Sequence, residues 1–269
     1  MSIRGSFRNP TPYPDVNEVL RDLLDGAGTV LGTQFVGMYV HGSLASGDFE
    51  PERSDIDFLV VTADTLPDDM IEALEAMHQR LAASGLPWAQ RLDGSYIPRD
   101  ALRRHDPAQA CFPELDSFDE TFGVAQHGSD WVIQRHVIRE HGLALAGPPP
   151  QTLIDPVQPA ELQQAVSDQL RGRWSRQLRG PTRLKSPEYQ AYAVLTMCRA
   201  LYTLEHATVV SKAVAPRWAR AALGERWGLL IDWAVAWRRD DRSDNLYATV
   251  EFIQYVLECL QRFETAAGV

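Results

Sequence analysis

Apolar residues recur at helical spacing from Val16 to Leu31, where Val16, Val19, Leu20, Leu23 and Leu24 form one stripe before Gly32 breaks the run. A short β-rich run, Phe35 to Val40, then predicts a strand ending at His41-Gly42-Ser43. A second strand is expected over Ile56 to Val61, opening inside Asp55-Ile56-Asp57. Asp68 to Ala83 predicts a helix. Pro67 precedes it, Asp68 and Asp69 occupy its first turn, and Ile71, Leu74, Met77, His78 and Leu81 make an apolar stripe. Trp88 to Ile97 is a candidate third strand carrying Asp93, and Trp131 to Gly142 a further helix. Strands alternating with helices indicate an α/β arrangement for this half.

The pattern changes after LALAGPPPQTLIDPVQPAEL. Its prolines Pro148, Pro149, Pro150, Pro156 and Pro159 can neither continue a helix nor donate to a ladder, so a boundary is expected near residue 150, with domains at 1–150 and 151–269. Beyond it nearly everything reads as helix: Ala160–Trp174, Pro187–His206, Pro216–Leu223, Glu225–Arg239 and Asn245–Phe263. In the last of these, Leu246, Val250, Ile253, Leu257 and Leu260 form a stripe suited to a core, and a helical bundle is expected. Charge divides the same way. Residues 1–150 hold 11 basic and 23 acidic residues, whereas residues 151–269 hold 15 and 13, giving a chain of net charge −10. That balance argues against nucleic acid as main partner. No apolar run is long enough for a membrane span, none follows the charges of the leader as in a secretory signal, and Cys111, Cys198 and Cys259 lie far apart. A cytoplasmic protein with no membrane partner is expected, as a monomer.

Chemistry concentrates in HGSLASGDFEPERSDIDFLVV, residues 41–61. Alternation along a strand puts Asp55 and Asp57 on one face about 7 Å apart, with Ile56 behind them. Two such carboxylates repel each other and are best tolerated when divalent cations bridge them. Mg²⁺ suits the position, because it takes one or two carboxylates and completes its shell with water and substrate phosphates. Gly42 lets the backbone approach an anion closely, and the Ser43 hydroxyl can hold phosphate oxygens. Together these are the parts needed for attack on a nucleoside triphosphate. The motifs of P-loop, dinucleotide-binding and serine-hydrolase sites are missing.

Gly42-Ser43 followed by Asp55-x-Asp57 resembles the signature of the nucleotidyltransferase superfamily. Ala193-Val-Leu-Thr-Met-Cys-Arg-Ala-Leu-Tyr202, then Val210-Ser-Lys212 and Ala219, resembles the C-terminal domain of the aminoglycoside (3'')(9) adenylyltransferases. Leu143-Ala-Leu-Ala-Gly-Pro148 and Leu153-Ile-Asp-Pro156 are similar to that family's interdomain stretch. The resemblance implies an α+β nucleotidyltransferase domain, with a mixed β-sheet and flanking helices, followed by an all-α helical bundle, with the active site between them. It implies two Mg²⁺ ions on Asp55 and Asp57, with ATP held by Gly42, Ser43, Ser54, Arg199 and Lys212.

The reaction needs a base beside a metal. The family uses a glutamate on a neighbouring strand. Asp93, in Gln90-Arg91-Leu92-Asp93-Gly94, stands at the matching place and is the candidate base, metal ligand and substrate contact, one methylene shorter. Asp-Gly is also a common turn pair. The expected acceptor is a small polycation or aminocyclitol, attracted by the acidic first half. Asp116, in an acidic loop with Glu114, Asp119 and Glu120, and Trp174 are candidate substrate contacts. The segment RGRWSRQLRGPTRLK carries six cations and no acid, which disfavours the guanidinium-bearing streptomycin and favours spectinomycin. Rival readings are a degenerate nucleotide-binding protein, or an adenylyltransferase acting on another small molecule or a protein hydroxyl.

Overall fold

The computed structural model describes residues 9–267, apart from residues 53, 117–120, 181 and 239. Among the described residues the chain divides after Pro156 into two compact units. No helix among them is long and apolar enough to cross a membrane.

The first unit is built on one mixed sheet. Helix α1 (Pro14–Leu31) leads into β1 (Phe35–Val40), and a short α2 (Gly42–Ser46) precedes β2 (Ile56–Thr62). Helix α3 (Asp68–Ala82) crosses to β3 (Leu92–Pro98), followed by α4 (Arg99–Arg103), β4 (Cys111–Asp116), β5 (Thr121–Gln126), α5 (Asp130–His141), β6 (Leu143–Ala146) and α6 (Pro150–Leu153). The six strands run in the order β5-β4-β3-β2-β1-β6, with β2 and β3 parallel and every other pair antiparallel.

Alternation along β2 explains how an unbroken apolar run is buried on both faces. Phe58 and Val60 join Met38, Val40 and Tyr96 under the apolar stripes of α1 and α3. Leu59 and Val61 join Tyr39, Ile97 and Phe112 on the opposite face, under Leu102 of α4, Trp131 and Ile138 of α5, and Leu153 of α6. Arg135 of α5 is 2% exposed, and burial pushes its pKa down to about 10. Its guanidinium donates to the carbonyls of Leu102 and Ala101, each at 2.8 Å, fixing α5 against α4.

A second buried polar pair lies on the α1/α3 face. His78 Nε2 is 2.8 Å from the Tyr96 hydroxyl, and burial holds the imidazole pKa down at about 4. A histidine depressed in the folded state binds its proton first in the unfolded chain. Stability is therefore full above pH 6.5 and falls as pH drops toward 4, by about 1.4 kcal/mol per pH unit from this group. Denaturant titrations from pH 7 to pH 4 should show that slope, and His78→Gln should flatten it.

The second unit is helical. It comprises α7 (Pro159–Gln169), a π-helical turn (Leu170–Trp174), α8 (Ser175–Arg179), α9 (Pro187–His206), α10 (Val214–Leu223), α11 (Glu225–Ala236) and α12 (Leu246–Ala267). α9 is the central helix, touching α7, α10, α11 and α12. Gln190, fully buried on it, donates to Leu184 O and Asp244 Oδ1 and accepts from the backbone N–H of Asn245, each at 2.8 Å. The side chain thereby ties the entry of α12 to α9.

Several expectations are corrected. The division falls after Pro156 rather than near residue 150, because Leu153 and Ile154 are buried in the first unit's core. Leu143–Ala146, expected within the linker, is an edge strand pairing with β1. Glu114 and Asp116 belong to β4 rather than a loop, while Asp119, Glu120 and the N-terminal leader lie outside the described residues, as does Arg239 at the end of an expected helix. The strand expected from Trp88 starts at Leu92. The helix expected over Ala160–Trp174 gives way to a π turn at Leu170.

Candidate active site

The end of β1, the start of β2 and the start of β3 meet at one polar corner of the sheet. Burial alternates from Ser54 to Phe58, so Asp55 and Asp57 are the half-exposed positions with Ile56 wholly buried between them. Asp57 and Asp93 are register partners across the parallel β2–β3 pair. Partners in a sheet point to the same face, so three carboxylates share one corner. Asp93-Gly94 is strand rather than turn. A Cβ on Gly94 would collide with the Phe58 carbonyl and ring, and glycine lets β3 close up against β2 beside Asp93.

Gly42 is needed for two reasons. Its φ of +62° is a left-handed conformation, and a Cβ there would collide with the Asp57 carboxylate. Gly42→Ala should therefore displace Asp57, costing more than about 1 kcal/mol of stability and most of the activity. Thermal melts and steady-state assays of that variant check both. His41 anchors the same bend through its backbone N–H, which donates to Asp57 O at 3.0 Å. Its ring is buried, and burial lowers its pKa, opposed by the Asp57 charge and by a hydrogen bond to the Phe58 backbone. Nothing in the sequence marks His41 out for this place.

The two serines differ. Ser43 is 5% exposed, and its buried hydroxyl has no partner among the described residues. The Ser54 hydroxyl accepts from the backbone N–H of Glu50 at 3.0 Å and closes the turn before β2.

Arg91 is a participant that sequence reasoning missed. Its Nε lies 3.4 Å from Asp55 Oδ1, Nη1 donates to Pro51 O at 2.7 Å, and Nη2 donates to Ser54 O. The guanidinium stacks 4.4 Å from the Trp88 ring centroid. It staples the loop carrying Ser54 and Asp55 to the foot of β3. No described residue pairs with the Asp57 carboxylate, and among the described residues no three His, Cys, Asp or Glu side chains close into a cage for a metal ion. That set fits Mg²⁺, a hard ion that uses one or two carboxylates and leaves positions for water and phosphate.

In the second unit, Arg199 lies on α9 with Nη2 donating to Thr196 Oγ1 at 3.0 Å and a buried Nε that no described residue accepts from. Lys212 is exposed in the turn before α10. Trp174 is 1% exposed, its ring 6.2 Å from both Tyr189 and Tyr192. It packs the bundle and has almost no surface to offer a substrate. The basic segment is partly neutralised: Arg171 pairs with Asp168 and Glu264, and Arg173 donates to the Tyr189 hydroxyl at 3.3 Å.

Comparison with known proteins agrees with this layout. Residues 32–100 match the nucleotidyltransferase domain, and residues 152–261 match the aminoglycoside adenylyltransferase C-terminal domain. The chain is thus similar, in both of its parts, to the aminoglycoside adenylyltransferases. Aminoglycoside (3'') (9) adenylyltransferases from Shigella flexneri and Escherichia coli are each 26% identical to it, over 264 and 262 residues, covering 90% of this chain and 94% of theirs. The fold matches that of the spectinomycin adenyltransferase AAD(9) from Enterococcus faecialis, solved with ATP and spectinomycin. The TM-score is 0.72 at 16% identity, over 91% of this chain and 98% of that one. The chain is a nucleotidyltransferase, and the corner holding Asp55, Asp57 and Asp93 lies within its nucleotidyltransferase match.

Proposed function

We propose that the chain transfers AMP from ATP to a hydroxyl of an aminoglycoside or aminocyclitol antibiotic, spectinomycin before streptomycin, and releases pyrophosphate. The observation that carries this reading is the register pairing of Asp57 with Asp93 beside the Gly42-Ser43 bend, in a chain carrying both family domains. Asp55 and Asp57 would hold Mg²⁺, two ions in the full site, which when bound neutralises charge on the attacking and leaving oxygens.

This chain's own groups do the rest. Asp93 accepts the proton of the acceptor hydroxyl, whose oxygen attacks the α-phosphorus of ATP in line as the bond to the β-phosphate oxygen breaks. The unpartnered Ser43 hydroxyl donates to a triphosphate oxygen, and Ser54 shapes the turn that delivers Asp55. Arg199 and Lys212 supply cations for the phosphates and for departing pyrophosphate. Arg91 holds Asp55 in place until ATP arrives. Asp116 stays a candidate contact for the acceptor, whereas the burial of Trp174 assigns that ring to packing. The cations of residues 171–185 support preference for the less highly charged acceptor.

A panel of aminocyclitols and aminoglycosides, each incubated with ATP, Mg²⁺ and purified protein, tests the reading by release of pyrophosphate. Acceptor-dependent release with spectinomycin and little with streptomycin is expected. Tight ATP binding without release for any acceptor would favour a nucleotide-binding protein instead.

A further inference from the structure

The sheet face that carries Asp57 and Asp93 continues onto β4, where it holds a polar group that proton transfer to Asp93 does not use. Ser95 lies two residues beyond Asp93 on β3, hence on the same face, and is the register partner of Glu114 on β4. His127 Nε2 is 2.8 Å from Glu114 Oε2 and 3.3 Å from Ser95 Oγ, and Ser95 Oγ lies 3.5 Å from the same carboxylate oxygen.

The imidazole is firmly held. It stacks on Trp131 with centroids 4.1 Å apart and planes 2° from parallel, and meets Phe112 edge-on at 5.1 Å. The backbone N–H of His127 donates to Ala110 O at 2.7 Å. Ser95 is 1% and His127 3% exposed, yet the Glu114 side chain keeps 27% of its surface open. A buried ring and a buried hydroxyl thus fix one oxygen of a carboxylate that still reaches solvent.

Position relates this carboxylate to the reaction. Continuing the register one rung past Gly94–Leu115 sets Asp93 opposite Asp116 and makes Glu114 the diagonal neighbour of Asp93, and such neighbours lie about 7–8 Å apart. An aminocyclitol whose reacting hydroxyl sits at Asp93 carries its ring amines within that span.

We propose that Glu114, oriented by His127 and Ser95, binds an ammonium group of the acceptor and thereby sets which acceptor is used. This rests on the adenylyl-transfer reading above. The proton of the reacting hydroxyl still goes to Asp93, and Glu114 contributes ground-state and transition-state binding equally. Its orientation by buried donors means that little ordering is required when the cation arrives. Charge-assisted contacts of this kind are stronger than neutral ones. His127 is a positioning residue that acts through Glu114.

Steady-state kinetics on an acceptor that the wild type uses provides the test. Glu114→Gln should raise the acceptor KM about 10- to 100-fold. The kcat and the KM for ATP should stay within about twofold, the signature of lost uniform binding. Glu114→Asp should recover part of the loss, and His127→Gln should shift the acceptor KM in the same direction by a smaller factor. An N-acylated acceptor should bind wild type weakly and show no response to Glu114→Gln. An unchanged acceptor KM in folded Glu114→Gln protein overturns the proposal, even where thermal stability falls. So does a rise confined to the KM for ATP. Where Glu114→Gln does not fold, an unchanged acceptor KM in His127→Gln is decisive against it. An active wild type with an insensitive Glu114 removes this proposal alone, whereas a wild type that adenylylates no acceptor removes the functional reading with it.

Discussion

Asp57→Asn protein should fold as wild type does and lose at least about 10³-fold in kcat, the several kcal/mol that metal-borne charge neutralisation supplies. The substitution keeps the shape of the side chain packed against Gly42 and removes only its charge. No described residue pairs with that carboxylate, so its loss should break no internal ion pair, and circular dichroism and melting temperature should barely change. Metal affinity should fall with activity, measured by Mn²⁺ titration in the presence of a non-hydrolysable ATP analogue. Full activity in Asp57→Asn would remove Asp57 from the site. Asp55→Asn should behave differently. Asp55 is the partner of Arg91, so that change also loosens the loop from Pro51 to Ser54.

Asp93→Asn should lower kcat by about 10²- to 10⁴-fold while ATP binding is retained, because a missing general base removes a proton acceptor rather than a phosphate contact. Asp93→Glu should keep substantial activity, since it restores the longer carboxylate that the family pattern carries at this place. The split between kcat and the KM for ATP is the diagnostic measurement. A parallel loss of both would mean that Asp93 chiefly holds metal and nucleotide. An unchanged kcat would move the base to Glu114 or Asp116 on the neighbouring strand.

Legibility in the sequence followed the strength of the periodic signal. α1, β1, β2 and α9 were readable because each buries an unbroken stripe or run. β4 and β5 were not. β4 contains Pro113 among acidic residues, and β5 is an edge strand with little burial on either face, so neither shows clean alternation. β6 was hidden by the prolines immediately after it, which say nothing about the four residues before them. The π turn at Leu170 leaves no mark in composition, since one extra residue per turn alters backbone bonding rather than residue type.

At the candidate site, the shared facing of Asp55 and Asp57 was legible because spacing along a strand determines facing. The alignment of Asp93 with Asp57 was not, because register between strands distant in sequence depends on the tertiary sheet. For the same reason the sequence left Asp93-Gly94 open as a turn, and gave no hint that Arg91 would reach Asp55 or that His127 would reach Glu114.

The most direct test uses ATP labelled separately at the α- and γ-phosphates, with Mg²⁺ and spectinomycin. The account predicts that α-label appears in the antibiotic and γ-label only in pyrophosphate. Antibiotic that carries the γ-label, or that stays unlabelled while ATP is consumed, would contradict it.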